Sequence, residues 1–97
     1  MDLYCYLVTY DISSPKRWRK VFKTLQGFGE HAQLSVFRCD LTPTRHVRLR
    51  NALDRLIDHE KDQVIIVKLG KSTPDVIGGI EVLGRPQEFE PPSPTVV

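Results

Sequence analysis

Asp11 has the most chemical reach of any side chain in this 97-residue sequence, because it closes an apolar run, residues 3–11 (LYCYLVTYD), directly ahead of a helix start. In α/β proteins such a junction lies outside the sheet, where a carboxylate can meet a ligand. The same position suits a local role, accepting backbone N–H groups or helping to cap the helix. One carboxylate alone is a poor Mg²⁺ site: the ion takes an octahedral set of oxygens, and the rest must come from water, phosphate or a second subunit. Basic side chains follow closely. At about 100° per residue, Arg17 and Arg19 border the apolar stripe of Trp18, Val21, Phe22 and Leu25 on opposite sides, while Lys16, Lys20 and Lys23 point further out. Such a row fits phosphate contacts, and a plainly solvated helix face carries the same residues.

The wider charge pattern points the same way. Net charge is only +2, yet residues 14–55 hold ten of the 14 Lys and Arg and three of the 12 Asp and Glu, a local excess of seven that attracts a polyanion. Other chemistries lack support. His31, His46 and His59 show no metal-ligand spacing, and there is no P-loop, GxGxxG or GxSxG. Cys5 and Cys39 sit in apolar stretches without CxxC spacing and read as core residues rather than a zinc or redox pair.

The elements that must hold these residues are readable in outline. Residues 3–11 are apolar on both alternating faces, as in a central strand. Ser13 or Ser14 caps a helix with Pro15 in its first turn, and Gly27 and Gly29 end it. Residues 31–41 (HAQLSVFRCDL) alternate as one extended segment, with no turn chemistry that demands a break. Thr42-Pro43 opens a second helix with Leu49, Ala52, Leu53 and Leu56 inward, Ile57 at its apolar edge, and Arg45, Arg48, Arg50 and Arg55 outward. After a polar turn at 58–62, Val64-Ile65-Ile66-Val67 reads as a strand buried on both faces. Weaker strand signals at 76–83 and 95–97 flank a proline-bearing stretch, so a domain over 1–83 and an extended tail over 84–97 are expected.

With 40% hydrophobic and 27% charged residues, this is one globular α+β domain. The element order suggests a ferredoxin-like sandwich, an antiparallel sheet with both helices on one face. Its other face needs cover, and a second copy of the chain, giving a homodimer, is the simplest cover. The start reads as neither a signal peptide nor a membrane span, so the chain is expected to stay in the cytoplasm without a membrane partner.

Taken together, YLVTYDIS, SPKRWRKVFKTLQGFGE, QLSVFRCDLT and LDRLIDHEKDQVIIVKL resemble the CRISPR-associated protein two family, the small partner of the spacer-integrating enzyme, over residues 3–69. The resemblance implies a ferredoxin-like homodimer and a Mg²⁺-dependent endonuclease acting on RNA or DNA in the spacer-acquisition stage of antiviral defence. It also implies an adaptor bound to the CRISPR-associated protein one integrase. Asp11 matches the family's metal-associated aspartate, and Tyr10, Arg17, Arg19 and Phe37 match its neighbouring site positions. Two Asp11 side chains near a two-fold axis would share one Mg²⁺, with Arg17 and Arg19 on the phosphate and Phe37 packed beside the nucleic acid. Two departures stand out: His31 replaces a common Arg, and Arg38 a commonly acidic residue. Both join Lys16, Lys20 and Lys23 as expected nucleic-acid contacts. The rival reading is a non-catalytic, basic dimer that binds duplex DNA and bridges integrase subunits. A small-molecule-sensing domain on the same fold would need a pocket for which the sequence has no motif.

Overall fold

β1 (Tyr4–Asp11) runs through the middle of the sheet because its aromatic and β-branched residues can be buried on either side. The computed structural model describes residues 2–86. After β1 come α1 (Pro15–Gln26), β2 (Glu30–Gln33), β3 (Val36–Leu41), α2 (Pro43–Leu56), β4 (Gln63–Lys71) and a short α3 (Pro74–Gly78). The strand order is β2-β3-β1-β4 and every neighbouring pair is antiparallel, the ferredoxin-like arrangement expected. No helix among the described residues is long and apolar enough to cross a membrane.

All three helices start by one device. Ser14, Thr42 and Thr73 each accept a hydrogen bond from the backbone N–H three residues on, and a proline follows at once. Each such cap contributes about 1 kcal/mol. Val21 and Leu25 of α1 and Leu49 and Leu53 of α2 then close one core with Tyr6, Val8 and Tyr10 of β1 and Phe37, Cys39 and Leu41 of β3. Complete burial of each Leu or Phe here stabilises the fold by roughly 1.5–3 kcal/mol. Arg45 ties the helices together, donating to the Gly27 carbonyl at 2.9 Å while its guanidinium lies 4.5 Å from the Phe28 ring centre.

Three expectations are corrected. Residues 31–41 do not form one strand but a hairpin, β2 and β3, turning at Leu34-Ser35. Among the described residues no non-glycine residue takes a positive φ, so the turn lacks the chemistry that announces a tight hairpin. β1 holds it instead: the Tyr10 hydroxyl donates to the Leu34 carbonyl at 2.9 Å and the Tyr10 N–H to that of Ser35 at 3.1 Å. Secondly, the run 64–67 belongs to an edge strand, not one buried on both faces. Val64 and Ile66 pair with Tyr10 and Val8 and pack on the core, whereas Ile65 and Val67 pair with Thr9 and Leu7 and are 48% and 41% exposed. Thirdly, 76–83 is no strand. The Thr73-Pro74 cap starts α3, Gly79 ends it, and residues 80–86 run irregularly past Leu7 and Val36, enclosing a cavity of about 540 Å³. The strand expected at 95–97 lies outside the described residues, as does the tail beyond residue 86.

Gly29 marks the tightest approach between the α1–β2 connection and the sheet. A Cβ there would fall 2.5 Å from Cys39 Sγ and 2.9 Å from Cys39 Cα, with the Arg38 carbonyl closer still. Gly29→Ala is expected to destabilise the protein by about 2 kcal/mol, lowering the urea midpoint at unchanged slope; an unaltered midpoint would contradict this packing.

Candidate metal and nucleic-acid site

Strand alternation delivers Asp11 to the surface. Tyr6, Val8 and Tyr10 turn toward the helices, so Leu7, Thr9 and Asp11 turn to the opposite face, and Asp11 is exposed where β1 ends opposite Gln63. The segment just after it is held from a distant part of the chain. The Asp62 carboxylate accepts from the Ser13 N–H at 3.0 Å, the Ser13 hydroxyl at 3.1 Å and the Asp58 N–H at 2.8 Å. It also takes Arg17 in a two-pronged pair, Nε to Oδ2 at 2.7 Å and Nη2 to Oδ1 at 3.2 Å, while Nη2 donates to Ser13 Oγ at 3.1 Å. Arg17, backed by the Asp58 and Ser13 donors, holds the Asp62 carboxyl well below the usual carboxylate range, and the Arg17 pKa is raised in return.

The expected site residues separate into three groups. Asp11 and Arg17 do come to one end of the sheet, but Arg17 is engaged by Asp62 and Ser13 rather than pointing freely outward. Lys16, Arg19, Lys20 and Lys23 are exposed along α1. His31 is also exposed, at the β2 edge on the α1 side, its ring 5.0 Å from that of Phe22 and 5.1 Å from that of Phe37. All five are open to solvent.

The remaining three are interior. Tyr10 is 4% exposed, its hydroxyl spent on Leu34 and its ring packed near Trp18 and Phe37; burial pushes its pKa up. Phe37 has no exposed surface and packs edge-on against Phe22, so it does not stack beside a nucleic acid. Arg38 is 2% exposed on the sheet face opposite α1, its Nη2 2.9 Å from Asp40 and 3.7 Å from Glu30. Its charge is therefore met inside the protein, and it adds nothing to the basic surface of α1. The parity of β3 decides this, since one residue along from core-facing Phe37 must point the other way.

Asp62 and Ser13 are the residues that sequence reasoning missed. Two aspartates four apart in a polar turn hinted that one accepts local N–H groups, but nothing local marks a partner 45 residues earlier. Among the described residues, no three His, Cys, Asp or Glu side chains gather closely enough to hold a metal ion. Asp11 brings one carboxylate and that of Asp62 is already saturated, so a single copy of the chain does not fit Mg²⁺ without oxygens from elsewhere.

The family described as CRISPR associated protein Cas2 matches residues 4–75, which takes in every strand, both long helices, Asp11, Arg17 and Asp62. The chain is 46% identical over 82 residues to the CRISPR-associated endoribonuclease Cas2 1 of Rhodospirillum rubrum, covering 84% of this chain and 79% of that one. Against the CRISPR-associated endoribonuclease Cas2 of Geobacter sulfurreducens it is 43% identical over 67 residues, or 69% and 70% of the two chains. The crystal structure of Streptococcus pyogenes Cas2 at pH 6.5 superposes with a TM-score of 0.72 at 33% identity, over 82% of this chain and 99% of that one. With the family's pattern matched over residues 4–75 and relatives 46% and 43% identical over more than two thirds of the chain, this chain belongs to the CRISPR-associated Cas2 family.

Proposed function

We propose that the protein is a Mg²⁺-dependent endonuclease hydrolysing phosphodiesters in RNA or DNA, acting in the cytoplasm as a homodimer during CRISPR spacer acquisition beside the CRISPR-associated protein one integrase. The supporting observation is the setting of Asp11: exposed, at the end of a central strand, on the sheet face that α1 and α2 leave open. Exposed Ile65 and Val67 share that face with Leu7 and Thr9. Apposing two such faces about a two-fold axis buries the apolar stripe, at about 25 cal/mol per Å². It also turns two copies of Asp11 toward a common cleft, giving the second carboxylate that one chain lacks. Bound there, Mg²⁺ would supply positive charge to polarise the phosphodiester and activate water.

In this reading the protein's own groups divide the remaining work. Arg17 acts as a positioning residue: with Asp62 it fixes Ser13, two residues beyond Asp11, and so the direction of the strand end. Arg19, Lys16, Lys20, Lys23 and His31 bind the phosphate backbone and orient it. The same cations would serve a non-catalytic DNA-binding adaptor, and the engagement of Arg17 by Asp62 favours that second reading, because it removes one candidate for transition-state stabilisation.

Cleavage assays on RNA and DNA with and without Mg²⁺ separate the two. Asp11→Ala is expected to lower Mg²⁺-dependent cleavage by about 100-fold or more while the dimer stays folded. Cleavage retained by this variant sinks the metal assignment, and a wild type without cleavage leaves the adaptor. Ile65→Glu should shift sedimentation from dimer toward monomer through its buried charge, and an unaffected dimer would place the interface elsewhere. Asp62 carries a pH signature. Its folded pKa lies below the ordinary 3.8, so its contribution to stability is complete above that value and is lost as pH falls toward the depressed one. Between pH 5 and pH 3 the urea midpoint of the wild type should fall more steeply than that of Asp62→Asn; equal slopes would reject the Arg17–Asp62 clamp.

A further inference from the structure

At the other end of β1, on the helix side of the sheet, α2 leaves part of β4 uncovered and a groove of about 590 Å³ opens between them. Tyr4, on its wall, lies seven residues from Asp11, roughly 23 Å along the strand, so the groove is separate from the site already described. One aromatic pair and one cation–π contact shape it. Tyr6 and His46 stack with ring centres 4.7 Å apart and planes 10° from parallel, and Lys68 Nζ sits 4.3 Å above the Tyr4 ring. Arg50 and Val47, the latter 53% exposed, complete the rim, and among the described residues no acidic side chain lines the groove.

This combination selects its occupant. A solvated helix face accounts for arginine and lysine, but not for flat aromatic walls meeting in a concave space the size of an ordinary ligand pocket. Rings offer stacking to a planar partner, the cations ask for an anion, and the lack of a carboxylate disfavours a cationic one. Along its length a duplex keeps its bases stacked inside, so its sides present no planar face to the groove. We propose that the groove binds a nucleoside monophosphate unit, free or as an unpaired nucleotide of a strand, with its base against the Tyr4 and His46 walls and its phosphate at Arg50 and Lys68.

The test needs neither cleavage nor Mg²⁺, so its outcome is independent of the role of Asp11. Amide NMR of the full chain would be titrated with AMP, adenosine, inorganic phosphate, a blunt DNA hairpin and the same hairpin with a short single-stranded overhang. AMP is expected to shift His46, Val47 and Lys68 and to bind at least about tenfold more tightly than adenosine or phosphate, with Arg50→Gln and Lys68→Gln each weakening it about tenfold. Both residues are exposed, so the substitutions should leave the remaining spectrum in place. Competition with AMP by the overhang hairpin, and not by the blunt one, identifies a strand as the source; AMP binding without such competition identifies a free nucleotide. Phosphate acting as strongly as AMP, AMP binding untouched by both substitutions, or no shift at these residues overturns the proposal.

Discussion

β1 is hydrogen-bonded along both edges and carries apolar side chains on both faces, and keeping water away from it organises everything else. One face is settled within the chain, since α1 and α2 close over Tyr6, Val8 and Tyr10. The other is settled only in part. α3 follows β4, and residues 80–86 pass Leu7 and Val36, but Ile65 and Val67 stay exposed on the outer strand. Asp11 ends the neighbouring β1 on the same face, so the exposed apolar residues and the single carboxylate share one side of the sheet. The proposed self-association and metal binding would both follow from one alternation, because shifting the strand by a single residue would turn Asp11 into the core and Tyr10 out of it.

Charge is sorted by the same two faces. Opposite the helices, Asp40 and Glu30 meet the buried Arg38, and Asp40 also receives the Ser72 hydroxyl, fastening the connection after β4 to β3. Arg17 is likewise drawn to a carboxylate whose side chain is fully enclosed. Removing one member of such an arrangement leaves an unmet charge, so these arginines serve the fold before they serve any ligand. What remains for a polyanion is the outer surface of the helices: Lys16, Arg19, Lys20 and Lys23 on α1, and Arg48, Arg50 and Arg55 on α2, all exposed. The excess of basic residues in the middle of the chain thus overstates the surface charge, though its sign and location hold.

The helices were legible because capping and apolar spacing are local: Ser14-Pro15 and Thr42-Pro43 announce their own helices within a few residues. Thr73-Pro74 is the same signal, hidden because α3 is too short to show a period and the aliphatic residues at 76–83 imitate a strand. The β2–β3 turn was illegible for the opposite reason. Leu34 and Ser35 have no turn preference of their own, and the bend is held by Tyr10, 24 residues away. Asp11 could be placed from its strand end alone, and the α1 cations from their spacing. Tyr10 and Phe37, which the resemblance set beside the site, and Arg38, expected to contact nucleic acid, are all enclosed, because alternation fixes which side a residue faces but not whether that side is covered. The Arg17–Asp62 pair joins segments whose proximity only the finished fold creates.

That pair also explains how an exposed carboxylate can keep a fixed position at a strand end. Strand ends fray because their last residues have few buried contacts, and an exposed side chain there has little to restrain it. Here β1 is extended into a clamp: Ser13 is gripped through its backbone and its hydroxyl, Arg17 approaches from the first turn of α1, and Asp58 closes the far side. Three chain segments thereby meet at Asp62 without any of them covering Asp11. An apolar plug at the same place would hold the strand as firmly but would bury the carboxylate away from water. A clamp built from charge and backbone hydrogen bonds fixes direction while leaving the oxygens in water, the state in which an acidic group can still accept a metal ion or a phosphate-bound one.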